Sequence, residues 1–249
     1  MVTVSIIVTY RKNKKQYLGE CLDKIMHQTI LPQEVVLVED CLESESSGKF
    51  EDIYEEVNKL SFTIPLKVFQ FNERKGKAYQ INFGIKKSSG DYIGICSSDD
   101  FYESTFIEES LKALEKGDIS WGTYNIVDET GKLLYHYSVK QMDYDVFLME
   151  AIKWAKTHGM FCCMATWFAR KELFLKSPFD DYLKLTEDLE WFLRTLLVDK
   201  YKYVFIDKTL TNYRISPSQA GSTLKIEILE HNNEYSRQKI NKLLREKIF

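Results

Sequence analysis

Hydrophobic residues along this chain fall into two patterns, short unbroken runs and longer segments in which they recur at helical spacing. Unbroken runs bounded by turn residues are typical of strands buried on both faces, and helical spacing is typical of amphipathic helices. Strands are predicted at 2–9, 34–40, 64–71 and 92–96, and helices between them at 17–29, 50–60 and 76–85. This alternation predicts an α/β fold with a mostly parallel central sheet flanked by helices, similar to a Rossmann fold.

The pattern becomes looser after residue 102. Helices are predicted at 106–114, 144–154 and 185–197, a hairpin at 119–139, a short apolar segment at 166–168 and a last strand at 201–206. No linker rich in Pro, Gly or Ser separates the two parts, so we expect both to share one sheet. We therefore divide the chain into a nucleotide-binding half at 1–102, a second half of the same domain at 103–224 and a C-terminal helix at 225–249.

The C-terminal segment 226–249 carries apolar residues along one side, surrounded by lysine and arginine. One interpretation is a helix packed on the domain with its basic residues in solvent. The other is a basic amphipathic segment that rests on an anionic membrane surface.

The composition argues against several functional classes. The 34 basic and 37 acidic residues give a net charge of -3, which does not support bulk nucleic-acid binding. The five cysteines are an odd number without zinc-type spacing, as expected for reduced thiols in the cytosol. The sequence shows no basic leader and no apolar run of membrane-spanning length, so we expect a cytoplasmic protein.

The predicted strand at 92–96 runs into Ser97-Ser98-Asp99-Asp100, which places two adjacent carboxylates at its end. In open α/β sheets, ligands bind outside the carboxyl ends of the strands. Hard oxygen donors in that position suit Mg²⁺ or Mn²⁺ shared with substrate phosphates. The alternative is that both acids only cap a helix that starts near Glu103.

Nine short motifs follow one another at a characteristic spacing, and each of them is weak when taken alone. They lie at 4–10, 17–22, 34–40, 76–85, 91–100, 168–171, 186–188, 193–194 and 213–214. In this order they resemble the family 2 glycosyltransferases, which have the GT-A fold and act in bacterial surface-polysaccharide assembly. The resemblance covers residues 2–216.

The resemblance implies that a sugar is transferred, with inversion, from a UDP-sugar to a hydroxyl of a saccharide acceptor. The acceptor is expected to be linked to a lipid diphosphate, in O-antigen, capsule or exopolysaccharide synthesis at the inner face of the cell membrane. The segment 1–102 is then the nucleotide-sugar-binding half and 103–224 the acceptor-binding half. Mn²⁺ or Mg²⁺ on Asp99 and Asp100 would stabilise the leaving diphosphate, and Asp99 would also contact the donor.

The resemblance also assigns further donor contacts. Thr9, Tyr10 and Asp40 are expected near the uracil, where Asp40 accepts a hydrogen bond from the uracil N–H. Arg74 and Lys77 are expected to add positive charge near the phosphates. The alternatives are a turn-forming role for Asp40 and solvated surface charge for the two basic residues.

On the acceptor side, the resemblance assigns the general base to Asp188, with Glu187 beside it orienting an acceptor hydroxyl. The alternative is that both acids only favour a helix N-terminus electrostatically. Trp167 and Trp191 are candidates for stacking on acceptor sugars, although packing in the core is the favoured role for each of them.

The sequence departs from the family pattern at several positions. Ser97 replaces the first acid of the Asp-x-Asp motif, which puts a ribose contact in doubt. Cys41-Leu42 replaces the usual small residues after the second strand, and Ile81 stands where many members carry Arg. Ser216 replaces a late His, so a C-terminal metal or phosphate contact is also in doubt.

Two other functions remain open at this point. A sugar-phosphate nucleotidyltransferase shares the α/β pattern and the acids, but it normally has a glycine-rich loop after its first strand, and residues 10–13 contain no glycine. A non-catalytic scaffold subunit is the other alternative, and the departures at 41, 97 and 216 motivate it.

Overall fold

The computed structural model describes residues 2–40, 51–71, 73–138, 142–157, 163–183 and 186–215, together with 235, 238, 239, 241, 242 and 245. The first half alternates strands and helices as the sequence predicts. Its elements are β1 (Val4–Tyr10), α1 (Lys15–Met26), β2 (Glu34–Asp40), α2 (Glu51–Lys59), β3 (Leu66–Phe71), α3 (Lys77–Lys87) and β4 (Tyr92–Ser97).

The second half combines short strands with helices. Its elements are β5 (Phe101–Tyr102), α4 (Phe106–Ala113), β6 (Ile119–Val127), β7 (Leu133–Tyr137), α5 (Tyr144–Thr157), β8 (Phe168–Arg170), α6 (Lys171–Lys176), α7 (Glu187–Leu197) and β9 (Tyr203–Arg214). Two short 3-10 turns, at Lys12–Lys14 and Met164–Thr166, precede α1 and β8.

All the strands of the described residues belong to one mixed sheet. Their order is β3-β2-β1-β4-β8-β6-β9-β5, and β7 pairs with β6 as the predicted hairpin. The strands β3, β2, β1 and β4 are parallel, whereas β8 runs antiparallel to both of its neighbours and joins the two halves. Strand β9 is parallel to β6 and antiparallel to β5. The expected sharing of one sheet is therefore observed.

Helices cover both faces of the first four strands, and the pleat of β1 shows how they do so. Ile6 and Val8 point to the face covered by α1, whereas Ile7 points to the face covered by α3. Successive side chains of a strand point to opposite faces, so an unbroken apolar run fits a strand that is covered on both sides.

The last strand is longer than its apolar pattern predicts. It continues from Ile206 to Arg214, beyond the exposed residues Asp207 and Lys208, and its pairing with β6 is irregular near Thr123. The polar pair interrupts the hydrophobic run while the backbone ladder continues. This extension brings Arg214 to the end of β6, near the turn at 97–100 that follows β4.

Most of the C-terminal helix predicted at 225–249 lies outside the described residues. Lys239 contacts the domain through ion pairs with Asp180 and, at 3.2 Å, with Glu190, and Tyr235 donates a hydrogen bond to Asp180 at 3.1 Å. These contacts agree with packing on the domain in this part of the tail. Among the described residues, none of the helices combines the length and apolar character needed to cross a bilayer.

Candidate functional site

The strands β1, β2 and β4 end at the same edge of the sheet because they are parallel. Thr9 pairs with Ser97 across β1 and β4, and the N–H of Ser98 donates to the carbonyl of Thr9 at 2.9 Å. Asp40 is the last residue of β2, and the residue before it, Glu39, pairs with Tyr10 at the end of β1. The sheet therefore brings Thr9, Asp40 and the Ser97-Ser98-Asp99-Asp100 turn, which we call the acidic turn, to one edge.

The acidic turn does not cap a helix. The N–H of Asp100 closes it by donating to the carbonyl of Ser97 at 2.9 Å, and the chain then enters the short strand β5. Helix α4 begins only at Phe106, with Thr105 at its N-cap position. The capping alternative is therefore wrong, and both carboxylates remain available at the edge of the sheet.

Asp99 forms an ion pair with Lys14. The Oδ2–Nζ distance is 2.8 Å, and the side chains are 15% and 4% exposed. Lys14 comes from the polar turn between β1 and α1, which the sequence analysis did not connect with the site. Its short turn has no periodicity, so the sequence gives no signal that this lysine is buried.

Asp100 is buried, and its Oδ1 accepts a hydrogen bond from the main-chain N–H of Arg214 at 3.0 Å. Burial, together with the charge of Asp99, raises the pKa of Asp100 to about 8. The N–H of Arg214 and the charges of Lys77 and Lys14 act in the opposite direction. Without a cation, the acidic pair thus carries less than two full negative charges at neutral pH.

The buried Arg214 side chain connects the acidic turn with two other segments of the chain. Its Nε donates to the carbonyl of Asp99 at 2.9 Å, and its Nη1 donates to the carbonyls of Asp128 and Glu129 at 3.1 and 2.8 Å. It also forms an ion pair with Glu20 on α1. A planar guanidinium has several donors in fixed directions, which suits this junction.

Lys77, the first residue of α3, lies where the two halves meet. Burial disfavours its charge, but the carboxylates of Glu187, Asp100, Asp188 and Asp99 outweigh burial and raise its pKa. The residue before it, Gly76, has a φ of 93° that favours glycine at the helix start. The charges of four acids from two distant parts of the chain thus act on one ammonium.

Glu187 and Asp188 open α7. The residue before them, Thr186, has a left-handed backbone with a φ of 64° and makes no capping bond through its side chain. Such a conformation is uncommon for a β-branched residue and is often found at functional sites. Burial and the charge of Asp188 raise the pKa of Glu187 to about 7, against the attraction of Lys77.

Asp188 and the acidic turn act electrostatically on the same two side chains. Burial and the charge of Asp100 raise the pKa of Cys163 to about 12, and the charge of Asp188 adds to this shift. The same two acids also raise the pKa of Tyr213, together with burial. Asp188 and Asp100 therefore act on the same two side chains, as expected for groups that line one cleft.

Asp40 holds the loop that leads into α3. Its Oδ1 accepts from the N–H of Lys75 at 2.6 Å and its Oδ2 from the N–H of Gly76 at 3.1 Å. Burial raises the pKa of Asp40, and these hydrogen bonds and the charges of Arg74 and Arg11 oppose that shift. Arg74 thus acts on Asp40, and it is half-buried rather than fully solvated.

Three aromatic residues assigned to ligand contacts lie in the core instead. Trp167 and Trp191 have no exposed surface, and they pack against each other with ring centroids 4.9 Å apart. The indole of Trp191 donates to the carbonyl of Ser177 at 2.6 Å. Tyr10 is only 1% exposed and packs on the α1 side. The assignment of the two tryptophans to acceptor stacking is therefore wrong, and the core packing favoured for both of them is observed. The buried ring of Tyr10 is likewise not available for the expected contact near the uracil.

Two polar residues of α3 position the site and were not assigned a role from the sequence. Gln80 donates from Nε2 to the carbonyls of Tyr10 and Val38, at 3.0 and 2.7 Å, and so joins the ends of β1 and β2. Asn82 exchanges hydrogen bonds with the backbone of Phe179, donating at 2.8 Å and accepting at 3.0 Å. It thereby fixes α3 to the second half.

The departures from the family pattern have different outcomes. Ser97 is half-buried at the end of β4. Ile81 is fully buried on the face of α3 that packs against the sheet, where it is an ordinary core residue. The other three, Cys41, Leu42 and Ser216, lie outside the described residues. Among the described residues, no group of three or more His, Cys, Asp and Glu side chains forms a ready metal centre.

Comparison with known proteins gives relatives in several bacteria. An uncharacterized glycosyltransferase of Rickettsia bellii is 29% identical over 93% of this chain and 32% of its own length. The Bacillus subtilis protein YwdF, also an uncharacterized glycosyltransferase, is 32% identical over 55% of this chain and 47% of its own. Streptococcus pneumoniae GlyG, a glycosyltransferase, is 26% identical over 90% of this chain and 73% of its own. The chain thus spans half or less of the first two relatives.

Solved structures show the same fold. Staphylococcus aureus TarS 1–349 in complex with UDP-GlcNAc superimposes with a TM-score of 0.68 and 19% identity, over 99% of this chain and 72% of that chain. The same protein with UDP gives a TM-score of 0.66. The fold is therefore the GT-A fold. The family model "Glycosyl transferase family 2" matches residues 5–176, and since this is well over half of the sequence, the chain belongs to that family.

Proposed function

We propose that this protein transfers a sugar, with inversion, from a UDP-sugar to a hydroxyl of a saccharide acceptor. The observation that carries the proposal is that charges from the acidic turn, Asp99 and Asp100, and from the start of α7, Glu187 and Asp188, act together on the ammonium of Lys77. A displacement at a sugar needs charge stabilisation for the leaving diphosphate and a base for the attacking hydroxyl within one cleft. The acidic turn and the start of α7 supply acids for both tasks.

The donor part of the proposal concerns the edge formed by β1, β2 and β4. Asp40, Thr9 and the acidic turn lie together there, where open α/β sheets bind nucleotides. The TarS complexes with UDP and UDP-GlcNAc, which share the fold, support a uridine diphosphate donor. We assign Lys77 to the diphosphate, because its ammonium interacts electrostatically with the acids of this edge.

The cation part of the proposal assigns Mn²⁺ or Mg²⁺ to Asp99 and Asp100. Two adjacent carboxylates provide hard oxygen donors, and substrate phosphates complete such a set. Because burial raises the pKa of Asp100, its carboxyl group is partly protonated at neutral pH. A divalent cation is well suited to replace that proton. When bound, the cation supplies a Lewis acid for the leaving diphosphate.

The acceptor part of the proposal assigns the general base to Asp188. Its half-buried carboxylate lies at the start of α7, and its charge, like that of Asp100, acts on Cys163. Glu187 is buried beside it and is suited to hold the base or an acceptor hydroxyl. An inverting reaction needs one base opposite the leaving group, and we assign that role to Asp188 and the leaving diphosphate to the acidic turn.

The biological setting follows from the family resemblance. We propose a lipid-diphosphate-linked saccharide as the acceptor, in O-antigen, capsule or exopolysaccharide synthesis, with the protein at the cytoplasmic face of the membrane. The nucleotidyltransferase alternative loses support, because the loop after β1 forms a 3-10 turn with a buried lysine rather than a glycine-rich phosphate loop.

The test is transfer or hydrolysis of UDP-sugars by the purified protein with Mn²⁺, with Mg²⁺ and with EDTA. Asp188→Asn is expected to lower turnover about 100-fold or more while UDP binding is retained. Asp207→Asn, an exposed acid on β9, is the matched control and should leave turnover unchanged. Full turnover in Asp188→Asn would refute the base, and failure of the wild type to bind UDP with Mn²⁺ would favour the scaffold alternative.

A further inference from the structure

Lys14 is buried beside the acidic turn although it comes from the most polar stretch of the first half. Its ammonium lies 2.8 Å from Oδ2 of Asp99, and its side chain is only 4% exposed. Burying an ammonium is costly unless a carboxylate compensates it. The fold therefore places a positive charge directly on the carboxylate that the proposed function gives to a divalent cation.

Lys14 acts on the second acid as well. Its charge lowers the pKa of Asp100, against the larger effects of burial and of Asp99 that raise it. Its Nζ also lies 5.8 Å from the ring centroid of Tyr17, the same ring that Arg214 approaches to 4.7 Å. Lys14 thus provides a positive charge at the carboxylates of the acidic turn, whereas Arg214 forms hydrogen bonds with the main chain of that turn.

We propose that Lys14 is a built-in cation of the donor site, which occupies Asp99 when the site is empty and pairs with the donor diphosphate when it is filled. The inference rests on the proposed function and adds a binding residue to it. It has two consequences of opposite sign. Lys14 competes with the divalent cation for Asp99 in the free protein, and it strengthens diphosphate binding when no divalent cation is present.

The neighbouring lysine provides a matched control. Lys15 is 33% exposed and forms an ion pair with Glu55 on α2 at 3.1 Å, away from the acidic turn. Lys14→Met and Lys15→Met therefore remove the same charge from adjacent positions, and only the first removes it from Asp99. Any long-range effect of net charge is common to both variants.

The experiment measures two affinities for each protein, Mn²⁺ by electron paramagnetic resonance without nucleotide, and UDP by calorimetry in EDTA. Lys14→Met is expected to bind Mn²⁺ about tenfold more tightly and UDP about tenfold more weakly than the wild type, each corresponding to the loss of one close ion pair. Lys15→Met should match the wild type in both. If Lys14→Met does not fold, Lys14→Gln keeps hydrogen-bond donors at Asp99 without the charge, and the same signs are expected.

The outcomes separate this inference from the function on which it rests. If the wild type binds UDP with Mn²⁺ but the Lys14 variants leave both affinities unchanged, the role of Lys14 is refuted and the proposed function stands. If the variants weaken Mn²⁺ and UDP binding alike and lower the melting temperature, Lys14 is only a structural support. If the wild type binds no UDP under any condition, both proposals fall.

Discussion

The main-chain N–H of Arg214 donates a hydrogen bond to Oδ1 of Asp100 at 3.0 Å, and this bond joins the last residue of β9 to the acidic turn. The contact uses the backbone, so it survives replacement of the Arg214 side chain. The guanidinium makes separate bonds to the carbonyls of Asp99, Asp128 and Glu129. Substitution of Arg214 therefore tests how far its side chain shapes the turn while the bond to Asp100 is kept.

Arg214→Met is expected to lower the free energy of unfolding by about 3 kcal/mol, because buried acceptors and the carboxylate of Glu20 lose their partner. Weaker Mn²⁺ and UDP binding should accompany this loss, since the acidic turn loses its support. Urea unfolding and calorimetry measure the two effects. Arg170→Met is the control, because the exposed Arg170 lies over the ring of Tyr92 at the other end of β4, with a distance of 4.9 Å to the centroid. Equal effects of both substitutions would contradict the argument.

Glu187 gives the donor site a pH dependence. Burial and Asp188 raise its pKa to about 7, so it is mostly neutral below that pH and gains a negative charge above it. The new charge appears beside Lys77, where we place the diphosphate, so UDP affinity is expected to fall up to about tenfold between about pH 6 and pH 8. Calorimetry of the wild type and of Glu187→Gln isolates this step from the ionisation of UDP itself. Identical pH profiles for the two proteins would contradict the prediction.

Gly84 allows α3 to lie close to the sheet. A Cβ at this position would come within 2.6 Å of Cγ2 of Ile7 and 3.2 Å of Cγ2 of Val38. Gly84→Ala is therefore expected to lower the free energy of unfolding by about 1–2 kcal/mol, because overpacking outweighs the gain in helix propensity. Gly19→Ala on α1 meets Glu56 only at 3.4 Å and should raise stability by about 0.5 kcal/mol. Urea unfolding checks both signs, and a stabilising Gly84→Ala would refute the close-packing argument.

The first half of the fold was predictable because its strands and helices follow simple periodic patterns. Unbroken apolar runs in β1 and β2 matched strands covered on both faces, and their ends brought Asp40 and Asp99 to one edge. The second half was harder to predict. Strand β8 has only three residues, and β9 continues beyond the exposed Asp207 and Lys208, so neither one has a complete hydrophobic signal.

The site was predictable only where a motif carries its chemistry in the local sequence. Asp99, Asp100 and Asp188 stand at recognisable element ends, and their charges act together on Lys77. Lys14 is buried because it pairs with Asp99, which lies 85 positions away in the acidic turn. The residues around Lys14 do not indicate such a distant partner. Trp167 shows the converse error, since an aromatic side chain suited to sugar stacking is equally suited to a core, and tertiary packing decides between them.

A buried acid at the opposite end of the sheet provides a stability prediction independent of the site. Glu34 begins β2 and accepts hydrogen bonds from the hydroxyl of Ser5 at 2.7 Å and from the N–H of Ser89 at 2.5 Å, and it forms an ion pair with Lys67 at 2.6 Å. Burial opposes its ionisation, but Lys67, Ser5 and Ser89 outweigh burial and lower the pKa of Glu34 to about 2.

The sign of the effect follows from the lowered pKa. The folded protein holds the charged form of Glu34 more strongly than the unfolded chain does, so this stability is fully present above the ordinary pKa of 4.5 and is lost as the pH falls towards about 2. Glu34→Gln should therefore lose about 2–3 kcal/mol at neutral pH, as expected for hydrogen bonds to a buried charge. The difference from the wild type should shrink steadily below about pH 4.5. Urea unfolding across this range measures it, with Glu55→Gln, a fully solvated partner of Lys15 and Lys59, as a control expected to show no measurable change. A gap that stays constant down to about pH 2 would mean that packing, and not the charge of Glu34, stabilises this end of the sheet.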